Sequence, residues 1–355
     1  MQTGFVLVVV IVAMASAPAS ASRVAIVTGA TKGIGLGIAR GLAEAKYRVH
    51  ITGRTETGTG SLEAAKALIL EAGGECVSHR VDHSNPQDVA SVFDAIFAAE
   101  PNGVDLLVNN ASPVVNEIED VLRSGKAKFW EQPPSSFAAI NDVGLTGAYS
   151  ASTLYAQKMV PKGRGLIVMV SSPGGLFYFF TAAYSTGKAA LDRLMSDLAH
   201  ELRGTGVGCV GLWPGLVATE KFQVFAKDGL WGMSPESLQK EAETPLYSGR
   251  AVAAMANDAL ASPVRLDAVS GTIQWTAELA HHYDLTDELG RQPPSSRTLR
   301  KVTGIGWLPK SWVVPWWVLR LLSPRYPSAP AAPAIAKASS SGTTAPHSEN
   351  AKDEM

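Results

Sequence analysis

From residue 23 the chain repeats one pattern: a short run of β-branched and other apolar residues, a turn, then a stretch with helical spacing. "RVAIVTG" precedes a helix expected from about 33 to 46, "YRVHITG" one from about 61 to 73, and "ECVSHRVD" one from about 85 to 99. "VDLLVNNA" follows, and long helical stretches are expected near 137–160 and 181–203, separated by the strand "GLIVMVSS" and followed by "GVGCVGLWPG". Strands that are apolar throughout and alternate with helices predict a parallel sheet covered on both faces. Such sheets bind ligands at the carboxyl ends of their strands, where the strand order reverses.

The first of those ends carries a glycine-rich turn, "TGATKGIG", residues 28–35. Glycine permits positive φ and a close approach to a diphosphate, and a helix opening at Gly33 aims its free N–H groups and positive dipole end at those phosphates. Between a first strand and a first helix this loop is a strong signal, with Gly29, Gly33 and Gly35 as contacts, and it predicts an α/β fold of the Rossmann type in a single domain. The second strand ends in "ITGRT", where a carboxylate would select NAD by binding the ribose hydroxyls. Gly53 and Arg54 stand there instead, with Lys32 in the phosphate loop. Two cations suit a 2'-phosphate, so the expected cofactor is NADP(H).

Further along, "AAYSTGKAA" places Tyr184 and Lys188 four residues apart, on one face of a helix. An ammonium beside a phenol favours the phenolate, so this tyrosine is expected to titrate nearer neutrality and to serve as a general acid or base. The pair alone is common by chance. Its company decides.

That company is the loop Thr28–Gly35, Asn109-Asn110-Ala111, Asn141, Ser171-Ser172, Tyr184-x-x-x-Lys188 and Pro214-Gly215, which together resemble the motif set of the short-chain dehydrogenase/reductases over about residues 23–280. Within that family, "KFWEQPPSSFAAINDVGLTGAY", "GLIVMVSSPGGL", "CVGLWPGLVATE" and "GIGWLP" are similar to a subgroup of NADPH-dependent carbonyl reductases associated with the endoplasmic reticulum. The resemblance implies Tyr184 as proton donor, Lys188 as ribose anchor and tuner of the tyrosine, Ser172 as hydrogen-bond partner of the substrate oxygen, and Asn141 as the polar bend of a proton relay. Ser172, twelve positions before Tyr184, is preferred to Ser171, thirteen before it, because it opens the loop after its strand; the resemblance allows either spacing. Cofactor contacts are implied at Thr28, Gly29, Lys32, Gly33, Ile34, Gly35, Arg54, Asp82, Asn109, Tyr184, Lys188, Pro214 and Thr219, with Asp82 toward the adenine and Thr219 toward the diphosphate or carboxamide. A homo-oligomer is implied as well. Two departures from the family pattern, Ser112 where a glycine often stands and a last strand "SGTIQWTAEL" without a glycine-rich ending, bear on the pocket and the subunit interface.

Substrate is expected between the nicotinamide and two segments, "GGLFYFF" (174–180) and a lid at about 221–247 with Phe222, Phe225, Leu230, Trp231 and Met233. Aromatic walls favour an apolar carbonyl compound of the steroid, retinoid or xenobiotic kind. Packing of Phe177–Phe180 into the core or on another subunit is the competing reading.

Composition narrows the field further. The 355 residues are 46% apolar, enough for a full core, with 18% charged residues, net charge −1 and no basic run, which argues against nucleic acid as a partner. Cys76 and Cys209 lie in strand-like runs and the seven histidines form no zinc-like spacing, so no metal site is expected.

The ends read differently from the core. Residues 5–14, "FVLVVVIVAM", followed by "ASAPASAS", suggest that 1–21 is a signal peptide or signal anchor. Residues 22–280 form the expected catalytic domain and 281–327 an extension holding Trp307, Trp312, Trp316 and Trp317. That extension suits either a membrane-surface contact through 305–325 or an apolar flap on its own domain or a partner subunit. The tail 328–355 is expected to be disordered and ends in Lys352-Asp353-Glu354-Met355, an endoplasmic-reticulum retention signal but for Met in place of Leu. The expected location is therefore the endoplasmic reticulum, in the lumen or at the membrane, with secretion as the alternative. Rival functions are a catalytically silent NADP(H)-binding scaffold and a membrane-tethered interaction protein.

Overall fold

The computed structural model describes residues 22–125, 128–230, 232–298, 313–315 and 318. The segment 1–21, the four tryptophans of the extension, the lid residue Trp231 and the tail 328–355 lie outside the described residues.

The elements run β1 (Val24–Val27), α1 (Gly33–Glu44), β2 (Arg48–Gly53), α2 (Leu62–Glu71), β3 (Glu75–Arg80), α3 (Pro86–Ala99), β4 (Leu106–Asn109), α4 (Val114–Ser124), α5 (Ser135–Asn141), α6 (Ala148–Met159), β5 (Gly165–Val170), α7 (Ala182–Glu201), β6 (Val207–Trp213), α8 (Glu220–Lys227), α9 (Pro235–Glu241), α10 (Pro245–Ala259), α11 (Pro263–Val269), β7 (Ile273–Trp275) and α12 (Thr276–His282). The strands form one parallel seven-stranded sheet in the order β3-β2-β1-β4-β5-β6-β7. The order reverses between β1 and β4, where Val27 pairs with Ile51 on one side and Val108 on the other. A crevice opens there, beyond the strand ends.

Successive residues of each strand serve opposite layers. Ala25 and Val27 of β1, Leu106 and Val108 of β4, and Val168 of β5 pack with Ile38 and Leu42 of α1 and Val252 and Ala256 of α10. Ile26, Leu107, Ile167 and Met169 face the other way, toward Phe93 of α3, Tyr155 of α6 and Met195 of α7. Burial on both sides is why the strands read as unbroken apolar runs. Helix starts obey local chemistry: Ser61, Asn85, Thr181, Thr219, Ser234, Thr244 and Ser262 each accept a backbone N–H of the turn they cap, and proline follows the cap in α3, α9, α10 and α11.

Two features depart from the expected elements. The helical run expected near 137–160 begins at Ser135 and widens into a π turn over Asp142–Gly147 directly after Asn141. The helix α10, which apolar periodicity does not announce, packs along α1 through glycines: a Cβ on Gly41 would sit 2.3 Å from the Gly249 carbonyl carbon. Past α12 the chain folds back on the domain. Arg250 donates to the Thr286 carbonyl at 2.9 Å, Arg297 forks onto Glu278 at 2.7 and 2.6 Å, and Val314, buried beside the layer that holds Trp213 and Trp275, donates its N–H to Arg297. Among the described residues no helix is long and apolar enough to cross a membrane.

Candidate active site

The glycine-rich turn sits at the crevice. Gly29 and Gly33 both hold positive φ, +63° and +58°, which a side chain would strain. The turn is fastened from below: Gly29 N–H donates to Thr52 Oγ1 at 3.2 Å, and Thr28 Oγ1 accepts the N–H groups of Asn110 and Ala111 at 3.0 Å each. The Asn110 side-chain amide donates to the carbonyls of Thr28 and Gly29, both at 3.0 Å, lying so close that a Cβ on Gly35 would meet it at 2.3 Å. Asn110 thus latches the loop, a role the sequence reading did not give it. Ile34 packs into the α1 layer while Lys32 is exposed. The Gly33 N–H, at the open end of α1, donates to both carboxylate oxygens of Glu220, at 3.1 and 3.4 Å. An anionic oxygen therefore fits at the helix N-terminus, as a diphosphate requires.

The remaining expected cofactor residues line the same strand ends. Arg54 is exposed after β2. Asp82 accepts from the Ser84 N–H and hydroxyl at 3.0 and 2.7 Å, bonds that hold its carboxyl below the usual carboxylate range, with Arg54 adding to the effect. Asn109 is buried and donates to Ser152 of α6 at 2.9 Å, tying the fourth strand to the helix beneath the crevice. Pro214 is buried just past β6, and Thr219 caps α8 with its methyl 3.5 Å from where a Gly33 Cβ would lie.

Across the crevice, Thr181 starts α7 by accepting the Tyr184 N–H at 3.1 Å, which brings Tyr184 and Lys188 onto one face. Tyr184 is buried and shares a hydrogen bond with Ser172. The two serines divide the work. Ser172 also accepts the Gly174 N–H at 3.0 Å, whereas Ser171 points to the Lys188 carbonyl at 3.4 Å and to Asp192. Asn141 donates to the Phe137 carbonyl at 2.9 Å and more weakly to that of Ala183 at 3.5 Å. Its Oδ1 lies where a Gly187 Cβ would come within 2.0 Å, so only glycine lets α7 pass this amide.

One expectation fails. Lys188 does not depress the Tyr184 pKa in this structure: its ammonium donates to the Val170 carbonyl at 3.0 Å. Burial raises the phenol to about 12, the Ser172 bond opposing and Asp192 reinforcing the rise. Burial likewise lowers Lys188 to about 8, and Asp192 resists that fall. Asp192, one turn beyond Lys188 and 1% exposed, takes the Trp213 indole N–H at 3.1 Å, and burial raises its own carboxyl. The sequence reading missed it; an acid four residues after Lys188 was the available signal.

Apolar walls close over the phenol. Ile118 and Phe225 are buried against Tyr184, with Leu122, Phe180, Phe222 and Leu230 around them. Phe180, at φ +56°, meets the Tyr184 ring edge-on at 5.2 Å. Phe222, Phe225, Leu230 and Phe180 belong to the segments expected to line the pocket. Met233 packs lower, with Leu238 and Ala242; Phe177 joins the core; and Tyr178 and Phe179 are exposed. Ile118 and Leu122 come from α4, which the sequence reading did not assign, although their four-residue spacing after "NNASP" marks a helix face.

Comparison with known proteins agrees with this fold. A family model described as short chain dehydrogenase matches residues 23–228. Dehydrogenase/reductase SDR family member 1 of Homo sapiens is 39% identical over 321 residues, spanning 86% of this chain and 98% of that protein. The Mus musculus protein of the same name is 41% identical over 322 residues with the same shares. Among solved structures, a variant of actinorhodin polyketide ketoreductase with NADPH aligns with a TM-score of 0.60 at 26% identity, covering 72% of this chain and 95% of that one.

Proposed function

The chain belongs to the short chain dehydrogenase family, and from that premise we propose that it is an NADP(H)-dependent oxidoreductase reducing the ketone or aldehyde of an apolar small molecule, or oxidising the alcohol. The observation that carries this reading is a single buried constellation: Tyr184 bonded to Ser172, one turn from Lys188, beneath an apolar side-chain cluster at the strand ends that hold the phosphate loop.

A bound nicotinamide supplies or accepts the hydride at the substrate carbon. In reduction, Tyr184 hands its proton to the carbonyl oxygen as charge develops there, and Ser172 donates a hydrogen bond to the same oxygen. Lys188, whose ammonium reaches the Val170 carbonyl at the end of β5, holds the nicotinamide ribose hydroxyls. Asn141, beside the π turn, holds the water through which Lys188 regains a proton. Thr28, buried beneath the turn, fixes the loop through the Asn110 and Ala111 N–H groups, while the backbone from Gly29 to Gly35 and Thr219 hold the diphosphate, with Pro214 at the nicotinamide end. Asp82 faces the adenosine, Asn109 braces the strands beneath it, and Lys32 and Arg54 take the 2'-phosphate.

The walls from Ile118, Phe222, Phe225 and Leu230 support an apolar substrate of the steroid, retinoid or xenobiotic class. The ketoreductase neighbour, solved with NADPH, supports the cofactor. The test is turnover of a carbonyl library with NADPH and NADH. Apolar ketones should be preferred, Tyr184→Phe should lower turnover by ~100-fold or more with NADPH binding retained, and Arg54→Ala should narrow the NADPH preference. Better turnover of sugars or hydroxy acids would sink the apolar-substrate reading. NADPH binding without any oxidation across the library would favour the silent scaffold.

A further inference from the structure

Helix α8 packs on Tyr184 and is pinned by charge at both ends. At its first residue, Glu220 gives both carboxylate oxygens to the Gly33 N–H of the phosphate loop. The next residue, Lys221, forms an ion pair with Glu119 of α4, and Asp228, just past the last turn, pairs with Arg123 of α4 at 2.8 Å. Arg123 also holds Glu119 at 2.9 Å, so the two helices share one network. Between these anchors, Phe222 and Phe225 lie on Tyr184.

The Glu220 contact has a clear physical origin. Helix α1 begins without a side-chain cap: Lys32 at the cap position makes no capping bond, and no acid lies in the first turn. Its N-terminal N–H groups and dipole attract the nearest anion, which is the carboxylate of α8. That position is the one a diphosphate takes on a glycine-rich turn, and two anions cannot share one N–H donor at hydrogen-bond distance.

Resting on the function proposed above, we propose that Glu220 sets cofactor affinity: its carboxylate holds the place of a phosphate oxygen on Gly33 and must leave for the diphosphate to bind, freeing the first turn of α8 from the phosphate loop. Cofactor entry then loosens the helix that covers Tyr184.

Glu220 is exposed, so its replacement does not disturb the core. The test uses the full chain with Glu220→Gln, which keeps size and an acceptor but removes the charge. Without cofactor, hydrogen exchange over residues 220–228 should be faster in the variant than in the parent, which reads the latch alone. In titrations followed by NADPH fluorescence, the variant should bind roughly two- to thirtyfold more tightly. Adding NADPH to the parent should speed exchange in 220–228, and adding it to the variant should change that exchange little. Unchanged or weaker NADPH binding by the variant, or exchange in the parent that slows with NADPH, overturns the inference. A parent chain that binds no NADPH overturns the cofactor reading itself, and the cofactor-free exchange still reports on the latch.

Discussion

Burial and the Ser172 hydrogen bond pull the Tyr184 phenol in opposite directions, and burial wins, leaving it near 12. A raised phenol pKa keeps the proton on Tyr184 throughout the neutral range, so reduction, which consumes that proton, should be flat between about pH 6 and pH 8. Oxidation needs the phenolate, whose fraction rises tenfold per pH unit below the pKa, so its rate should climb with pH over the same range. Initial rates in both directions across pH check this; a reductive rate that falls above about pH 7 would mean a depressed phenol. At this scale helical spacing paired Tyr184 with Lys188, and the resemblance of the motifs to a known family added Ser172 and Asn141. It did not reveal Asn110, Asp192 or Glu220 in their positions, because each acts on a partner that local pattern does not bring near: Asn110 reaches Thr28 across 82 residues and Glu220 reaches Gly33 across 187.

Among the elements, those with a strong local signal were legible. β1, β2, β4, β5 and β6 follow from apolar runs, α1 from the glycine-rich turn that opens it, and α3 and α7 from helical spacing. The helix α10 was not, because it packs by closeness rather than by a stripe of large side chains. Gly37 and Gly41 of α1 meet Pro245 and Gly249 of α10 backbone to backbone, and glycine carries no periodic apolar signal. Gly41→Ala should therefore cost about 1–3 kcal/mol by overpacking, measured by denaturant unfolding; a loss under about 0.5 kcal/mol would mean the helices part easily. The π turn after Asn141 was likewise beyond the sequence, which read one continuous helix. The amide of Asn141 and the approach of Gly187 are tertiary facts, and they occupy the helix where its backbone ladder is widened.

For the whole molecule, the parallel order brings the ends of β1, β4, β5 and β6 to one surface, so residues from 28 to 220 meet there. The chain after α12 belongs to this body through Arg250 with Thr286, Arg297 with Glu278, and Val314 in the core. A chain ended after residue 280, where the sequence reading put the domain boundary, should melt roughly 5 °C or more below one that retains residues to 318. Matching melting curves would show those contacts to be dispensable. The sequence by itself determined the sheet, the glycine turn and the tyrosine–lysine pair, since these depend on backbone preferences and spacings a few residues long. Only the tertiary structure decided that burial outweighs the Ser172 hydrogen bond at Tyr184 while Lys188 turns to the Val170 carbonyl, that α4 completes the apolar wall, and that a carboxylate from α8 caps α1. Each of these is set by which distant groups come within bonding distance once water is excluded.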